Sequence, residues 1–370
     1  MRKLILILLT LAAFNVLLGV DFSFDGENRT RAAIYNDDKD SRGNHVDNKL
    51  LLGMNSDLTD ELKLRVNLQF GDVVWGGNNG GGIAAGLPVR AYELYIDYRI
   101  EAIKSNIKVG QQYWADHRSL MIDDSFSGIM FSHDDLLGFN TDLGWILQYE
   151  GDRYKGNDVN TFLLSMQTEK PLPLGLQAFF TLDNDADQNY LTLLPYLNLD
   201  FAPLSIDLTG IVDLTSVDDD DDIDFGAAVK GTVTLEPVEF AVDVLYYANE
   251  DQELNYSISP YYMNGLYIFG IGEHFDGYIG NDAIDWYWGQ TMNKDMYLGS
   301  VASIKAKLND KFSLFGAAGL ILDTGSEVNG GLEISLIPES LDLALYGAYG
   351  AHKNYDYKNY LFGTTLKASF

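Results

Sequence analysis

Sorted by alternate faces, the charged residues of this sequence fall into two sectors that could do electrostatic work together. Arg29, Arg31, Lys49, Lys63, Arg65, Arg99 and Lys108, with Asp25, Glu27, Glu93 and Asp97, share the polar side of the first five period-two runs. Asp207, Asp213, Glu239 and Asp243, with Lys230 alone among them, share the polar side of a later group. One wall is net basic and the other net acidic. Opposed charged walls across a water-filled space discriminate ions by sign. Ion pairs between neighbouring strands would stabilise the same wall, and the two roles are compatible.

Other chemistry finds less support. Asp218, Asp220 and Asp222 belong to an acidic run continued by Asp224, and such carboxylates are the hard oxygen ligands that Ca²⁺ prefers. The run lacks the glycine and the spacing of an EF-hand loop, so a solvated acidic loop is the expectation and a metal the alternative. His45, His117, His133, His274 and His352 contain no His-x-x-x-His pair. Ser132 and His133 are adjacent, but neighbours on a strand point to opposite faces. Neither a Gly-Lys-Ser/Thr phosphate loop nor a Gly-x-Gly-x-x-Gly fingerprint is present. We therefore expect no enzyme and no cofactor. The absence of Cys excludes disulfides and thiolate chemistry. A net charge of -29 argues against a nucleic-acid partner. Much of that charge sits in Asp/Asn/Gly-rich segments at 36–48, 183–189, 218–224 and 249–255, which read as solvated loops.

The elements that must position these charges are strands. Leu62, Leu64, Val66, Leu68 and Phe70 alternate with Lys63, Arg65, Asn67 and Gln69. Tyr92, Leu94, Ile96 and Tyr98 oppose Glu93, Tyr95, Asp97 and Arg99, and Val238, Phe240, Val242, Val244 and Tyr246 oppose Glu239, Ala241 and Asp243. Such runs give each strand one apolar and one wet face. By this parity strands are expected near 22–35, 46–55, 62–73, 91–100, 107–115, 128–134, 142–150, 158–168 and 175–183. The series continues at 190–201, 204–214, 224–235, 238–248, 295–308, 312–323, 328–337, 341–351 and 358–370. A further short pair at Tyr256–Tyr262 and Leu266–Gly270 would raise the count. Short connections such as Ala202-Pro203, Glu236-Pro237 and Asn309-Asp310-Lys311 interleave with longer polar ones, as in a membrane barrel with one plain rim and one looped rim.

The chain begins Met1-Arg2-Lys3 and continues with an apolar stretch to Val20, a basic-then-apolar order that reads as a secretory signal peptide over 1–20. After it, no apolar run approaches the ~20 residues that a membrane helix needs. The last strand places Tyr360, Phe362, Leu366 and the terminal Phe370 on one face, like the closing strand that bacterial barrel-assembly machinery reads.

The sequence also resembles the alginate-export-like porin family. The resemblance is carried by Gly26-Glu27-Asn28-Arg29-Thr30-Arg31, by Lys108-Val109-Gly110-Gln111-Gln112 leading to Asp123-Asp124-Ser125-Phe126-Ser127-Gly128-Ile129, and by Gly272-Glu273-His274-Phe275-Asp276-Gly277-Tyr278. It departs from the family where Gln111 and Gln112 stand in place of a Gly-Arg-Gln version. The resemblance implies one long loop over 249–294, holding Trp286 and Trp288, and favours about 18 strands over 16 or 20.

The combined expectation is an all-β protein, a transmembrane antiparallel up-and-down β-barrel over 21–370. It would sit in the outer membrane of a Gram-negative-type bacterium, in contact with lipid and delivered by the assembly machinery through Phe370. Its lumen would pass ions and small hydrophilic solutes, with export of an anionic polysaccharide as the alternative.

Overall fold

The computed structural model describes residues 21–36, 42–75, 88–149, 158–170, 172–184, 188–217, 220–248, 264–275, 296–353 and 358–370. The expected leader, 1–20, and the segment holding Trp286 and Trp288 lie outside the described residues.

The strands are β1 (Asp21–Asn36), β2 (Arg42–Asp57), β3 (Leu62–Val74), β4 (Val89–Ile100), β5 (Ser105–Ala115) and β6 (Asp123–Leu136). They continue as β7 (Phe139–Tyr149), β8 (Val159–Thr168), β9 (Leu174–Asp183), β10 (Gln188–Phe201), β11 (Leu204–Val217) and β12 (Asp220–Leu235). The last six are β13 (Val238–Ala248), β14 (Met296–Lys307), β15 (Phe312–Ile321), β16 (Gly325–Ile337), β17 (Leu341–His352) and β18 (Lys358–Ser369). All pair antiparallel with their chain neighbours in one 18-stranded sheet. The sheet closes because β1 pairs with β2 on one edge and with β18 on the other, in register from Glu27↔Ser369 to Tyr35↔Leu361. Gly26 and Phe370 exchange backbone hydrogen bonds of 3.0 and 3.1 Å at that seam.

Each of the 18 expected strands is present, and the described strands close a ring of 18 rather than 16 or 20. Leu266–Gly270 is irregular rather than a strand, while Tyr256–Tyr262 lies outside the described residues. The largest shifts in strand starts are at β6, which begins five residues earlier than its alternation suggests, and at β2 and β12, which each begin four earlier. Even-to-odd connections are short and lie on one rim. One of them, Leu137-Gly138, gives no strong turn signal in the sequence, yet both residues take positive φ (55° and 89°), as a two-residue hairpin turn demands. The odd-to-even connections, including 116–122 and the long 249–295, share the other rim.

Alternation sorts the two faces as expected on the outside. Leu94, Ile96, Tyr98, Val109, Ile129, Phe240 and Val242 are exposed there. The inner face differs from a uniformly wet wall. Phe179 is 1 % exposed and its neighbour Phe180 40 %: both are apolar, and the inward one is buried because chain has folded into the barrel. Two apolar clusters form inside. One gathers Leu120 with Met130, Ile146, Leu163, Phe179, Leu194, Ile211 and Leu245; the other gathers Leu266, Ile268, Phe269 and Phe275 with Val301, Ile321, Tyr346 and Leu361. At ~25 cal/mol per Å² of apolar area withdrawn from water, such packing favours the inward position of both segments over a solvated one.

Candidate functional site

The β5–β6 connection enters the barrel as a tight loop organised by Asp116. Its carboxylate accepts backbone hydrogen bonds from Leu120 (2.8 Å), Met121 and Ile122. Burial pushes this carboxyl up to about 6 from an ordinary 3.8, and the three amides oppose the shift without cancelling it. The loop carries His117 and Arg118 to the far wall. The His117 backbone N–H donates to Gln177 on β9 (2.9 Å), its ring lies 3.8 Å from the Tyr196 ring on β10 at 9°, and its Nε2 is 2.5 Å from Asp207 on β11. Arg118 reaches Asp243 on β13 at 2.5 Å and Asp207 at 3.7 Å. Two carboxylates of the expected acidic wall thus hold a loop that crosses the lumen. Single-sequence reasoning missed Asp116, His117 and Arg118 in this role because their partners lie as far as 125 positions away.

The second inward element is 264–275. Glu327, buried on β16, accepts hydrogen bonds from three consecutive backbone amides, Tyr267 (2.7 Å), Ile268 (2.8 Å) and Phe269 (3.0 Å). Asn329 donates to Glu327 and to the carbonyl of Gly265, both at 2.9 Å. Burial among aromatic neighbours raises the Tyr267 hydroxyl above its ordinary range. The wall makes room with glycine. A Cβ at Gly319 would lie 2.8 Å from Leu266, and one at Gly350 2.9 Å from the Phe269 ring. Inward glycines on β15 and β17 are the one sequence signal that could have announced this close approach. Two of the segments that carried the family resemblance meet here, with the Arg31 guanidinium 5.5 Å from the centroid of Phe275.

By register, every charged residue expected on the polar side stands on the inward face. Arg31 is buried in a forked pair with Asp47 (2.8–3.1 Å). Arg65 bridges Asp25 (2.6 Å) and Glu93 (3.2 Å), joining β1, β3 and β4. Lys63, near the short-turn rim, is 3.6 Å from Asp57. Arg99 meets Glu101, Asp134 and Asn106, while Asp97 accepts from Asn106 at 3.2 Å. The Lys108 ammonium is 5.4 Å from the Tyr95 ring centroid. Asp213 takes hydroxyl donors from Thr192 and, at 2.7 Å, Tyr247. Glu239 stands opposite Lys305. Asp47 and Asp57 lie among the basic residues, so the basic excess of that wall is smaller than alternation alone gives. Asp207 and Asp243 are occupied by the loop rather than set across from it. Tyr92 departs from strict parity because it sits at a bulge between the Asn67–Glu93 and Leu68–Ala91 pairs, with the Lys49 ammonium 5.8 Å from its ring. Of the acidic run, expected as a solvated loop, Asp218 lies outside the described residues, but Asp220–Asp224 belong to β12 and pair with β11, with Asp224 buried opposite Asp213; the side chains of Asp220 and Asp222 lie outside the described residues.

Strands β2, β3 and β4 contribute no side chain to either inner cluster. Among the described residues, their inward face, from Lys49 round to Arg99, is mostly polar and charged, with Leu51 an apolar exception.

No family model and no curated relative matches the sequence. Solved structures do match its fold. OccK2 (OpdF) of Pseudomonas aeruginosa superposes with a TM-score of 0.65 at 9 % identity, covering 95 % of this chain and 98 % of that one. OccAB1 of Acinetobacter baumannii gives 0.63 at 11 %, covering 95 % and 96 %. The outer membrane protein OpdK of Pseudomonas aeruginosa gives 0.63 at 13 %, covering 94 % and 98 %, and it has also been solved with vanillate. At these identities the likeness is one of fold. These structures are Occ and Opd proteins rather than alginate exporters, and the family resemblance read from the short motifs is narrowed accordingly to the outer-membrane barrel kind.

Proposed function

We propose that the chain is a porin-type channel of the bacterial outer membrane, passing ions and small hydrophilic solutes along the polar arc centred on β2–β4. The observation that carries this reading is a closed barrel with an apolar outer face and an inner arc at β2–β4 that is rich in charge and joins neither inner apolar cluster. A lipid bilayer suits the outer face, since a closed sheet satisfies its backbone hydrogen bonds internally. Arg29, Arg31, Lys63, Arg65, Glu93, Asp97, Arg99 and Lys108 shape the field along the path. Asp207 and Asp243 act through the loop they hold, and Asp213 and Glu239 complete the opposite wall. Small organic solutes are the cargo class suggested by the OpdK structure with vanillate. Polysaccharide export is disfavoured, because two packed segments occupy lumen space that a polymer would need. Delivery would follow removal of residues 1–20 and recognition of the Phe370 strand by assembly machinery.

The test is conductance of the purified, folded protein in a planar bilayer. Stepwise ohmic insertions with a stable reversal potential are expected. Folded protein that inserts without conducting would overturn the reading in favour of a purely structural barrel.

A further inference from the structure

We propose that Glu273, His274 and Glu333 form a site for a divalent transition-metal ion of the zinc type, at which the ion displaces the ammonium of Lys305. The three ligand atoms lie within 4.8 Å of one another. His274 Nε2 and Glu333 Oε1 are 3.0 Å apart. A tetrahedral zinc site with bonds of about 2.0–2.2 Å spaces its ligand atoms by about 3.3–3.5 Å. The His–Glu pair therefore needs to open by only a few tenths of an ångström. Glu273 has a largely exposed side chain that can swing in, once Lys305 is displaced, and complete three protein ligands.

A second observation is independent of that spacing. The Lys305 ammonium already sits 2.9 Å from Glu333 and 3.3 Å from Glu273. The carboxylates thus hold a single positive charge where a double one would be attracted more strongly. One imidazole with two carboxylates suits zinc-like ions, whereas Ca²⁺ asks for six to eight oxygens. Neighbouring groups fix His274 in place. Its ring lies 5.0 Å from that of Phe315 and 6.2 Å from that of Tyr346, and its carbonyl accepts the Thr365 hydroxyl at 2.9 Å. Two ligands come from the inward segment and one from β16. A bound ion would stitch the segment to the wall and add positive charge to the lumen.

The test titrates ZnCl₂ into the untagged full-length protein, folded in detergent and freed of metal by chelation, with binding heat as the readout. This readout is independent of conduction, so its failure and that of the channel reading are distinguishable. The wild type should bind one ion per chain and show no comparable response to CaCl₂. His274→Ala and Glu333→Gln should each weaken binding by about tenfold or more. Lys305→Met should tighten it by about tenfold, because the competing charge is gone; a non-specific surface site would not respond. Equal binding by the wild type and His274→Ala would overturn the proposal, as would unchanged or weaker binding by Lys305→Met.

Discussion

Arg118 and Ser119 hold φ values of 69° and 56°, a left-handed backbone that costs about 1–3 kcal/mol per non-glycine residue. That conformation persists because Asp116 ties the amides that follow it, while Asp207 and Asp243 hold the side chains ahead. Asp243→Asn keeps the shape of the contact and removes its charge. The change should weaken docking of the loop by about 1.5–3 kcal/mol, the range for a hydrogen bond to a charged group. Single-channel traces should then show brief transitions that the wild type lacks; an unchanged trace would mean that Leu120 and its apolar neighbours hold the loop unaided. Asp116 supplies a pH dependence whose sign follows from its raised carboxyl, held at about 6. A buried group that binds its proton more tightly than an exposed one takes up a proton on docking. Docking is therefore favoured most below the ordinary value of 3.8, and this contribution is lost as the pH rises from there through about 6. Loop transitions should be rarer at about pH 5 than at about pH 7, and Asp116→Asn should flatten the difference.

The strands test the facing assignment directly. Val242 stands on the outer face of β13 and Thr232 on the inner face of β12. Arg at a lipid-facing midplane position costs about 2–4 kcal/mol, whereas Arg on the lumen face stays wet. Val242→Arg should thus impair folding into liposomes, followed by the unheated gel shift, while Thr232→Arg folds normally; equal impairment would reverse the facing. Strands are legible in the sequence because period two belongs to each strand by itself, as in Leu62–Phe70, where nothing beyond nine residues is consulted. What period two cannot reveal is a bulge such as that at Tyr92, or a turn such as Leu137-Gly138 whose first residue is not the usual Asn or Asp. Least legible is the inward folding of connections. The apolar residues that receive Leu120 come one or two from each strand from β6 to β13, so no local window shows them as a cluster. Strands such as β9, apolar on both faces at Phe179 and Phe180, carry the trace of that packing, because a wall strand facing open water would not spend phenylalanine inward.

On the whole molecule, charge in the loops and charge in the lumen act at different ranges. Loop carboxylates are screened within a Debye length of ~10 Å at 0.1 M salt, while charges between low-dielectric walls are focused on the path. Lys63→Glu with Lys108→Glu should therefore shift the reversal potential toward cations, more at low salt than at high. Neutralising the acidic run at 218–222, where β11 passes into β12 at the looped rim, should do much less, and the opposite ranking would place the conducting path elsewhere. The two inner clusters also have a mechanical consequence. They act as spokes fixed to the wall from β5 to β13 and from β14 round to β1, which stiffens those sectors against ovalisation of the cross-section. Among the described residues, strands β2, β3 and β4 form the span between the spokes, braced by charge networks such as Asp25–Arg65–Glu93. Elastic breathing of the ring should concentrate in that span, so the aperture beside it would widen and narrow with lateral tension in the surrounding bilayer.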